Sequence, residues 1–394
     1  MKKRAIVIAV AGAGLAGLAV FGPTQAQKPG AAQSFDPLFA QGAACAPAQK
    51  GRPPLLERLV LAQAETAPFK PGQQPGQRAA EGKPPLYKDL GKLHVPVSTR
   101  NAQAQAYFDQ GMRLAFAFNH AEAARAFRAA QQLDPGCAMC YWGEALVLGP
   151  NINAPMFPQA AAPAFAAAAN AVKHAPGATP AEQALIKAVS RRYAATAPAD
   201  RAPLDKAYAD AMGEAARAFP NNDTIQVLYA ESLMDLSPWD YWEAAGAKPK
   251  NRTADMVDAL ERVLERNPSH PGAAHYYIHA VEASTHPEKA LPAARVLAKK
   301  IPGAGHIVHM PSHIYYRVGL YKEALDSNIK AIAVDEKYFS RSSSDPVYKG
   351  AYYPHNIHFV MVSALMGGDG KTALSAAAKL DKSISREVLK EFSR

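Results

Sequence analysis

The sequence is poor in cysteine, in unbroken hydrophobic runs and in clustered charge. It has three cysteines in 394 residues, which excludes a small domain held together by disulfides. Beyond the N-terminus, no stretch approaches the roughly 20 consecutive apolar residues that a spanning helix needs. Lysine and arginine number 44 against 34 aspartates and glutamates, and this mild excess is scattered along the chain. We therefore expect neither a nucleic-acid partner nor a membrane span in the processed protein.

Residues 1–26 have the pattern of a secretory signal peptide. Lys2, Lys3 and Arg4 precede an uncharged run of 18 residues that ends at Gly22, and Ala26 closes a small-residue cleavage site. An uncleaved anchor is the less favoured alternative, because the run is rich in alanine and glycine. We expect a protein of the periplasm, or one that is secreted.

Residues 27–96 are rich in proline, glycine, glutamine and alanine. Such a segment has too few apolar side chains to offset its ordering entropy, so we predict a largely disordered linker with one short helix at 55–64. Hydrophobic residues make up 48% of the whole chain and charged residues 20%, which excludes wholesale disorder. Residues 97–394 are therefore predicted to form the folded domain.

From about residue 101 the pattern is typical of paired helices. One window carries residues at the spacings of the tetratricopeptide pattern, which has a period of 34 residues: Tyr107, Gly111, Leu114, Ala123, Phe127, Ala130 and Pro135. The alanine that marks the start of the second helix of a repeat is found again at Ala290 and, 34 residues later, at Ala324. It recurs again at Ala373, after an insertion of fifteen residues at 340–354.

The chain thus resembles the tetratricopeptide-repeat (TPR) superfamily over roughly residues 101–380. The resemblance implies an all-α solenoid of stacked antiparallel helix pairs with loop insertions, and a concave groove that commonly binds peptides or partner proteins. The string from Gly305 to Tyr315 (GHIVHMPSHIY) is similar to that of exported bacterial TPR proteins, a group to which we attach no reaction.

Histidine is concentrated in the last three repeats, with nine of twelve between His270 and His358. We counted back 18, 15 and 11 residues from each of the three repeat alanines, Ala290, Ala324 and Ala373, which defines nine positions. Histidine occupies seven of these nine positions. Offsets separated by three and four residues share one helix face. These predicted metal ligands are His275, His279, His306, His309, His313, His355 and His358.

Neutral imidazole is a common ligand of copper, zinc and iron, so we predict a transition-metal site in the groove, for one ion or several. Glu282 continues the same stripe as a carboxylate ligand or general base. The alternatives are a site for an anion or organic ligand, a pH sensor, or a polar network. The sequence has no HExxH motif, which argues against a zincin.

Cys137 and Cys140 form a CxxC pair that lacks the following histidine of a haem attachment site. A local disulfide is the favoured interpretation in an oxidising compartment, followed by a soft-metal or redox role and by two inert thiols.

Two aromatic and polar segments interrupt the repeats at about residues 142–156 and 237–252. Packing against the next helix is the simpler interpretation. The functional one is a lid that contacts a small organic substrate through Trp142, Asn151, Asn153, Trp239 and Trp242.

Three functions follow. The first is an exported TPR solenoid with a metal site, either with or without catalysis on a small organic molecule. The second is a metal-free adaptor that binds a peptide or protein in the groove. The third is storage or delivery of a metal without turnover.

Overall fold

The computed structural model describes residues 83–342 and 347–384, and this part of the chain is almost entirely helical. The predicted signal peptide (1–26) and residues 27–82 of the predicted linker, with its short helix at 55–64, lie outside the described residues. The rest of that linker packs along the first helix, where Tyr107 Oη donates to the Pro84 carbonyl at 2.9 Å and Leu90 is 3% exposed. Among the described residues, no helix is both long and apolar enough to cross a membrane.

The helices follow one another along the chain, joined by short turns and by longer inserted loops. They are α1 (Ala102–Ala115), α2 (His120–Leu133), α3 (Ala138–Leu148), α4 (Ala161–His174), α5 (Pro180–Val189), α6 (Ala202–Ala218), α7 (Asp223–Met234), α8 (Thr253–Arg266), α9 (Pro271–Val281), α10 (Leu291–Leu297), α11 (Gly305–His309), α12 (Pro311–Arg317), α13 (Tyr321–Phe339), α14 (Tyr353–Met366) and α15 (Gly370–Ser383). Short 3₁₀-helices lie at Pro158–Ala160, Ala175–Gly177 and Pro287–Ala290, and a π-helical segment at Tyr348–Tyr352. A small hairpin pairs β1 (Trp242–Glu243) antiparallel with β2 (Lys248–Pro249).

Most helices pack chiefly against their neighbours in the sequence, as expected of stacked helix pairs. The predicted fold class is confirmed: the described chain is an all-α, TPR-like helical-repeat solenoid with loop insertions.

The first repeat shows why the pattern specifies this packing. The Phe127 ring lies between α1 and α3, and β-carbons added at Gly111 and Gly143 would lie 2.5 Å and 2.4 Å from it. Glycine at both positions therefore lets the two helices close around the ring. Asn101 and Asn119 cap α1 and α2 by accepting backbone N–H groups, which satisfies donors at the helix starts.

The C-terminal repeats place the histidine-bearing helices side by side. The alanines that begin the second helices are buried, with Ala290 and Ala324 at 0% and Ala373 at 8% exposure. Their small side chains let α9, α11, α12 and α14 approach their partners closely. The predicted insertion at 340–354 contains the π-helical segment Tyr348–Tyr352, which leads directly into α14.

Candidate metal centre

Six of the seven predicted histidines form two groups of three buried imidazoles. Triad 1 consists of His275 and His279 from α9 with His306 from α11. Triad 2 consists of His309 from α11, His313 from α12 and His355 from α14. Within each triad one nitrogen from each ring lies within 4.8 Å of the others, and the six residues are at most 2% exposed.

The nitrogens of triad 1 converge at ligand spacing. His275 Nε2 lies 3.1 Å from His279 Nε2 and 3.1 Å from His306 Nε2. Nitrogens bound to one ion at about 2.0–2.1 Å, with bond angles of about 90–110°, lie about 2.9–3.4 Å apart. The two measured separations fall in that range.

Triad 2 spans the boundary between two short helices. Met310 keeps helical dihedral angles (φ −51°, ψ −37°) between α11 and α12, and Pro311 begins α12. Since proline has no N–H to donate, the helix divides here instead of continuing. His309 and His313 nevertheless stay one turn apart, with their Nε2 atoms separated by 2.8 Å.

The hydrogen bonds of the other ring nitrogens fix where the protons lie. His275 Nδ1 is 2.7 Å from the Phe116 carbonyl, which can only accept, so Nδ1 carries the proton and Nε2 a lone pair. His309 Nδ1 is 2.6 Å from Asn328 Oδ1. The Asn328 amide is oriented by its own donation to the Ala324 carbonyl at 2.7 Å, so Oδ1 faces the imidazole as an acceptor.

Glu282 connects the two triads. Its Oε1 lies 3.1 Å from His279 Nδ1, and its Oε2 lies 2.7 Å from His313 Nδ1. An ionised carboxylate accepts both protons and leaves a lone pair on the Nε2 of each ring. Glu282 is 2% exposed, and burial raises its pKa, whereas the hydrogen bond from His279 lowers it.

Lone pairs therefore face each other in both triads, His275 against His279 and His309 against His313. If Glu282 is protonated, it donates to the Nδ1 of one ring, and the proton of that ring moves to Nε2. This relieves the contact between lone pairs in one triad and leaves the contact in the other triad. His306 is free of this constraint, since its Nδ1 has no hydrogen-bond partner among the described residues. It can donate from Nε2 to His275.

Burial keeps the imidazoles uncharged. Desolvation is the largest cause of the lowered pKa values of His275, His279 and His313, each of which falls to about 3. Desolvation likewise holds the pKa values of the other three imidazoles well below the ordinary range, those of His306, His309 and His355. Neutral imidazole is the form that binds metals.

Two aromatic residues with left-handed backbones pack on triad 1. Phe118 (φ 55°) lies with its ring 4.6 Å from that of His275 and 5.3 Å from that of His306. Trp239 (φ 63°) meets the His279 ring edge-on at 5.0 Å. A bulky residue in this region of backbone space costs about 1–3 kcal/mol, and such strain is concentrated at functional sites.

The predicted substrate residues divide into two groups. Trp239 Nε1 donates to the Ile152 carbonyl of the first inserted loop, and Trp242 Nε1 donates to the Ala280 carbonyl of α9, both at 2.7 Å. The second inserted loop is therefore held against both the first loop and α9, beside His279. Trp142, by contrast, is 1% exposed and packs near Phe108 with ring centroids 6.4 Å apart. It is part of the hydrophobic core and does not line the site.

Asn151 and Asn153 lie on the triad 1 side of the first inserted loop. Asn153 is fully buried and donates to Tyr352 Oη at 3.4 Å. Asn151 Nδ2 lies 3.4 Å from His120 Nδ1, and both residues line a cavity of about 70 Å³ whose walls include Phe118 and Tyr352. Phe118 and Tyr352 therefore line this cavity on one side and pack against imidazoles of triad 1 on the other.

His358 belongs to neither triad. It follows His355 by three residues, which rotates its side chain about 60° away on the same helix. The Phe359 ring lies 4.9 Å from that of His355 and 6.5 Å from that of His358. His358 is partly exposed, unlike the six triad residues.

Cys137 and Cys140 form a disulfide at the start of α3. Both cysteines are fully buried. The disulfide is the favoured one of the three interpretations drawn from the sequence, and it leaves neither sulfur as a metal-binding thiolate.

Comparison with known proteins adds little about function. No family model matches the sequence, and no curated protein matches it. Among solved structures, a human IFIT1 dimer with m7Gppp-AAAA is similar at TM-score 0.38 and 13% identity, covering 82% of this chain and 71% of that one. A human IFIT1 dimer with PPP-AAAA is similar at TM-score 0.34 and 12% identity, covering 71% and 72%. The nucleotides belong to those proteins, and similarity at this level concerns the helical fold alone.

Proposed function

We propose that this chain is an exported, TPR-like protein whose two histidine triads bind two neighbouring transition-metal ions. Copper, zinc and iron are the candidates, because the donor set is entirely imidazole nitrogen. Export is supported by the Cys137–Cys140 disulfide, since stable disulfides belong to oxidising compartments. The lack of a nucleic-acid partner stays a prediction from the sequence.

One observation carries the proposal. In each triad two Nε2 lone pairs face each other at 3.1 Å or 2.8 Å, and all four imidazoles are buried. Without a cation between them, these pairs repel, and burial disfavours a shared proton. A metal ion converts the repulsion into two coordinate bonds.

The surroundings of the rings also match those of metal ligands. Metal-bound histidines usually donate their second N–H to a carboxylate or carbonyl, which fixes the ring and raises its basicity. Here the acceptors are the Phe116 carbonyl, the Asn328 amide oxygen and both oxygens of Glu282. We therefore propose that Glu282 positions one ligand of each ion, instead of acting as a general base.

The two ions would lie close together. The rings of His279 and His313 are 5.7 Å apart, as are those of His306 and His309, and each pair joins one triad to the other. A shared carboxylate and the shared helix α11 hold the triads at this spacing. Pairs of ions acting together on one substrate are a recurring catalytic arrangement.

Catalysis is proposed over storage because each triad supplies three ligands. Catalytic sites keep an open position beside three protein ligands, whereas structural zinc sites use four. The substrate we propose is a small organic molecule that reaches triad 1 beside Phe118 and Tyr352. The residues at that wall include Asn151, which lines the cavity of about 70 Å³.

The test is elemental analysis of untagged protein together with variants of each triad. We expect two ions per chain in the parent, and one in either the His275→Ala/His279→Ala or the His309→Ala/His313→Ala variant. His286→Ala is the matched control and should retain both ions, because that side chain is 65% exposed on the surface.

The other functions predict different results. An adaptor carries no stoichiometric metal, and its partner binding is unchanged in both double variants. A storage protein binds metal but shows no spectral change when azide is added to the Co²⁺-substituted form, because its coordination is saturated. An enzyme with an open position shows that change.

A further inference from the structure

A series of tyrosine rings runs from triad 1 toward the protein surface. The Tyr352 ring lies 4.9 Å from that of His306 and 5.1 Å from that of Tyr348. Tyr348 in turn lies 6.2 Å from Tyr338, which lies 6.1 Å from Tyr87. The first two tyrosines are buried, and the last two are partly exposed. Aromatic rings at such distances exchange electrons readily.

Three of these phenols donate to carboxylates. Tyr348 Oη donates to Asp335 at 3.1 Å. Tyr338 and Tyr87 donate to the two oxygens of Glu122 at 3.3 Å and 2.9 Å. A phenol that loses an electron becomes a strong acid, so a carboxylate already in place takes its proton without charge being left on the ring. The hydrogen bonds thus make these three tyrosines easier to oxidise.

The outer tyrosines line a cavity of about 210 Å³. Tyr87, Tyr338 and Tyr348 form part of its wall, and Lys337 and Arg341 also line it. It is therefore large enough for a small organic molecule in contact with three rings of the series.

We propose, on the basis of the proposed metal centre, that Tyr352, Tyr348, Tyr338 and Tyr87 form an electron-transfer chain. Through it the metal centre oxidises a small organic electron donor in the cavity of about 210 Å³.

The oxidant is hydrogen peroxide reduced at the metal centre, where its O–O bond breaks and it takes up two electrons and two protons to form two waters. Each electron reaches the metal centre through the Tyr352 ring and comes from Tyr348, Tyr338 or Tyr87, whose O–H bond breaks and whose proton moves to Asp335 or Glu122. The donor then returns one electron to the ring, the carboxylate returns the proton, and the donor releases a proton to solvent. Two donor molecules are oxidised per peroxide, and no proton is gained or lost.

The experiment uses copper- or iron-loaded protein, because zinc does not change oxidation state and cannot reduce peroxide. Hydrogen peroxide and a spin trap are added, and peptide mass spectrometry locates the trapped radicals. We expect adducts on Tyr338 and Tyr87 in the parent, and their loss in Tyr348→Phe, which keeps the ring but removes the phenol. Peroxide-dependent oxidation of ascorbate, used as the donor, should be lost with them. Tyr277→Phe is the control, because Tyr277 donates to Glu261 at 2.6 Å but lies outside the series.

Metal content and circular dichroism of every sample separate the possible failures. If the parent carries no stoichiometric metal, the proposed function and this inference both fail. If metal is bound but no adduct forms on Tyr338 or Tyr87, only the chain is refuted. The chain is equally refuted if Tyr348→Phe binds metal, folds normally and still gives the same adducts.

Discussion

Replacing Glu282 with glutamine tests the link between the two triads. The glutamine oxygen can accept one imidazole N–H, but its NH2 group must face the other Nδ1 and cannot accept. The ring facing the NH2 group must move its proton to Nε2, which removes the lone pair that binds the ion. We therefore expect one ion to be weakened far more than the other.

The expected loss of metal affinity follows from the loss of one hydrogen-bond acceptor behind a ligand histidine. Removing a partner that orients a metal-bound histidine typically weakens metal affinity 10–100-fold, which is about 1.4–2.7 kcal/mol. The parent chain should bind two ions in a chelator competition titration, with one of the two dissociation constants raised by this factor in Glu282→Gln. Glu288→Gln is the matched control, since Glu288 faces His286 at 3.1 Å but on the exposed surface.

Unchanged affinity at both sites in Glu282→Gln would refute the reasoning, because it would mean that neither imidazole depends on the carboxylate. Equal weakening at both sites would contradict the asymmetry but keep the role of Glu282. Loss of the helical circular dichroism spectrum would instead assign Glu282 to folding, and binding would then be measured in Glu282→Asp.

Three further predictions concern the ligands, the metal and pH. Asn328→Ala should lower the binding affinity for one ion about 10–100-fold and leave that for the other ion unchanged, because it removes the hydrogen bond of the His309 ring alone. Calorimetric titration that shows both affinities unchanged would contradict this. Chelation should lower the melting temperature, since each ion present at about 100 times its dissociation constant contributes about 2.7 kcal/mol; a chelator-insensitive melting curve counts against the metal centre. Burial raises the pKa of Asp335 from 3.8 to about 7, so its contribution to stability is full below about pH 4 and is lost as the pH rises through 7. The difference corresponds to about 4 kcal/mol, and urea unfolding should show this decline in the parent but not in Asp335→Asn, whereas parallel pH profiles would refute it.

The sequence predicted the fold class and most of the histidine arrangement, for the same reason. Small residues at Gly111, Ala290 and Ala324 recur because helix pairs must approach closely, so their spacing reveals the repeat. Once the repeat register is known, offsets of three and four residues place side chains on one face. That reasoning needs no knowledge of distant contacts.

The division into two triads was beyond such reasoning. It depends on which rings of α9, α11, α12 and α14 meet in space, which is a matter of packing between helices. His358 satisfied the offset rule, yet one step of three residues on α14 turned it away from the ion position. Phe118 and Asn328 carry no periodic signal, because the equivalent positions of other repeats hold different residues, such as Gly319 and Phe127.

Aromatic residues in the inserts were equally ambiguous. Trp142 and Trp239 both lie beside loops rich in proline and polar residues, yet one fills the core and the other packs on His279. Composition does not distinguish the two, since burial of a large ring stabilises either location.

Helix α11 has five residues and gives one imidazole to each triad. A helix of that length is not stable by itself, and its order depends on neighbours and ligands. A displacement of this one turn of backbone would therefore move an imidazole of each triad at once. Substitutions that disturb the backbone of α11, rather than a single ring, are expected to lower the affinity for both ions together.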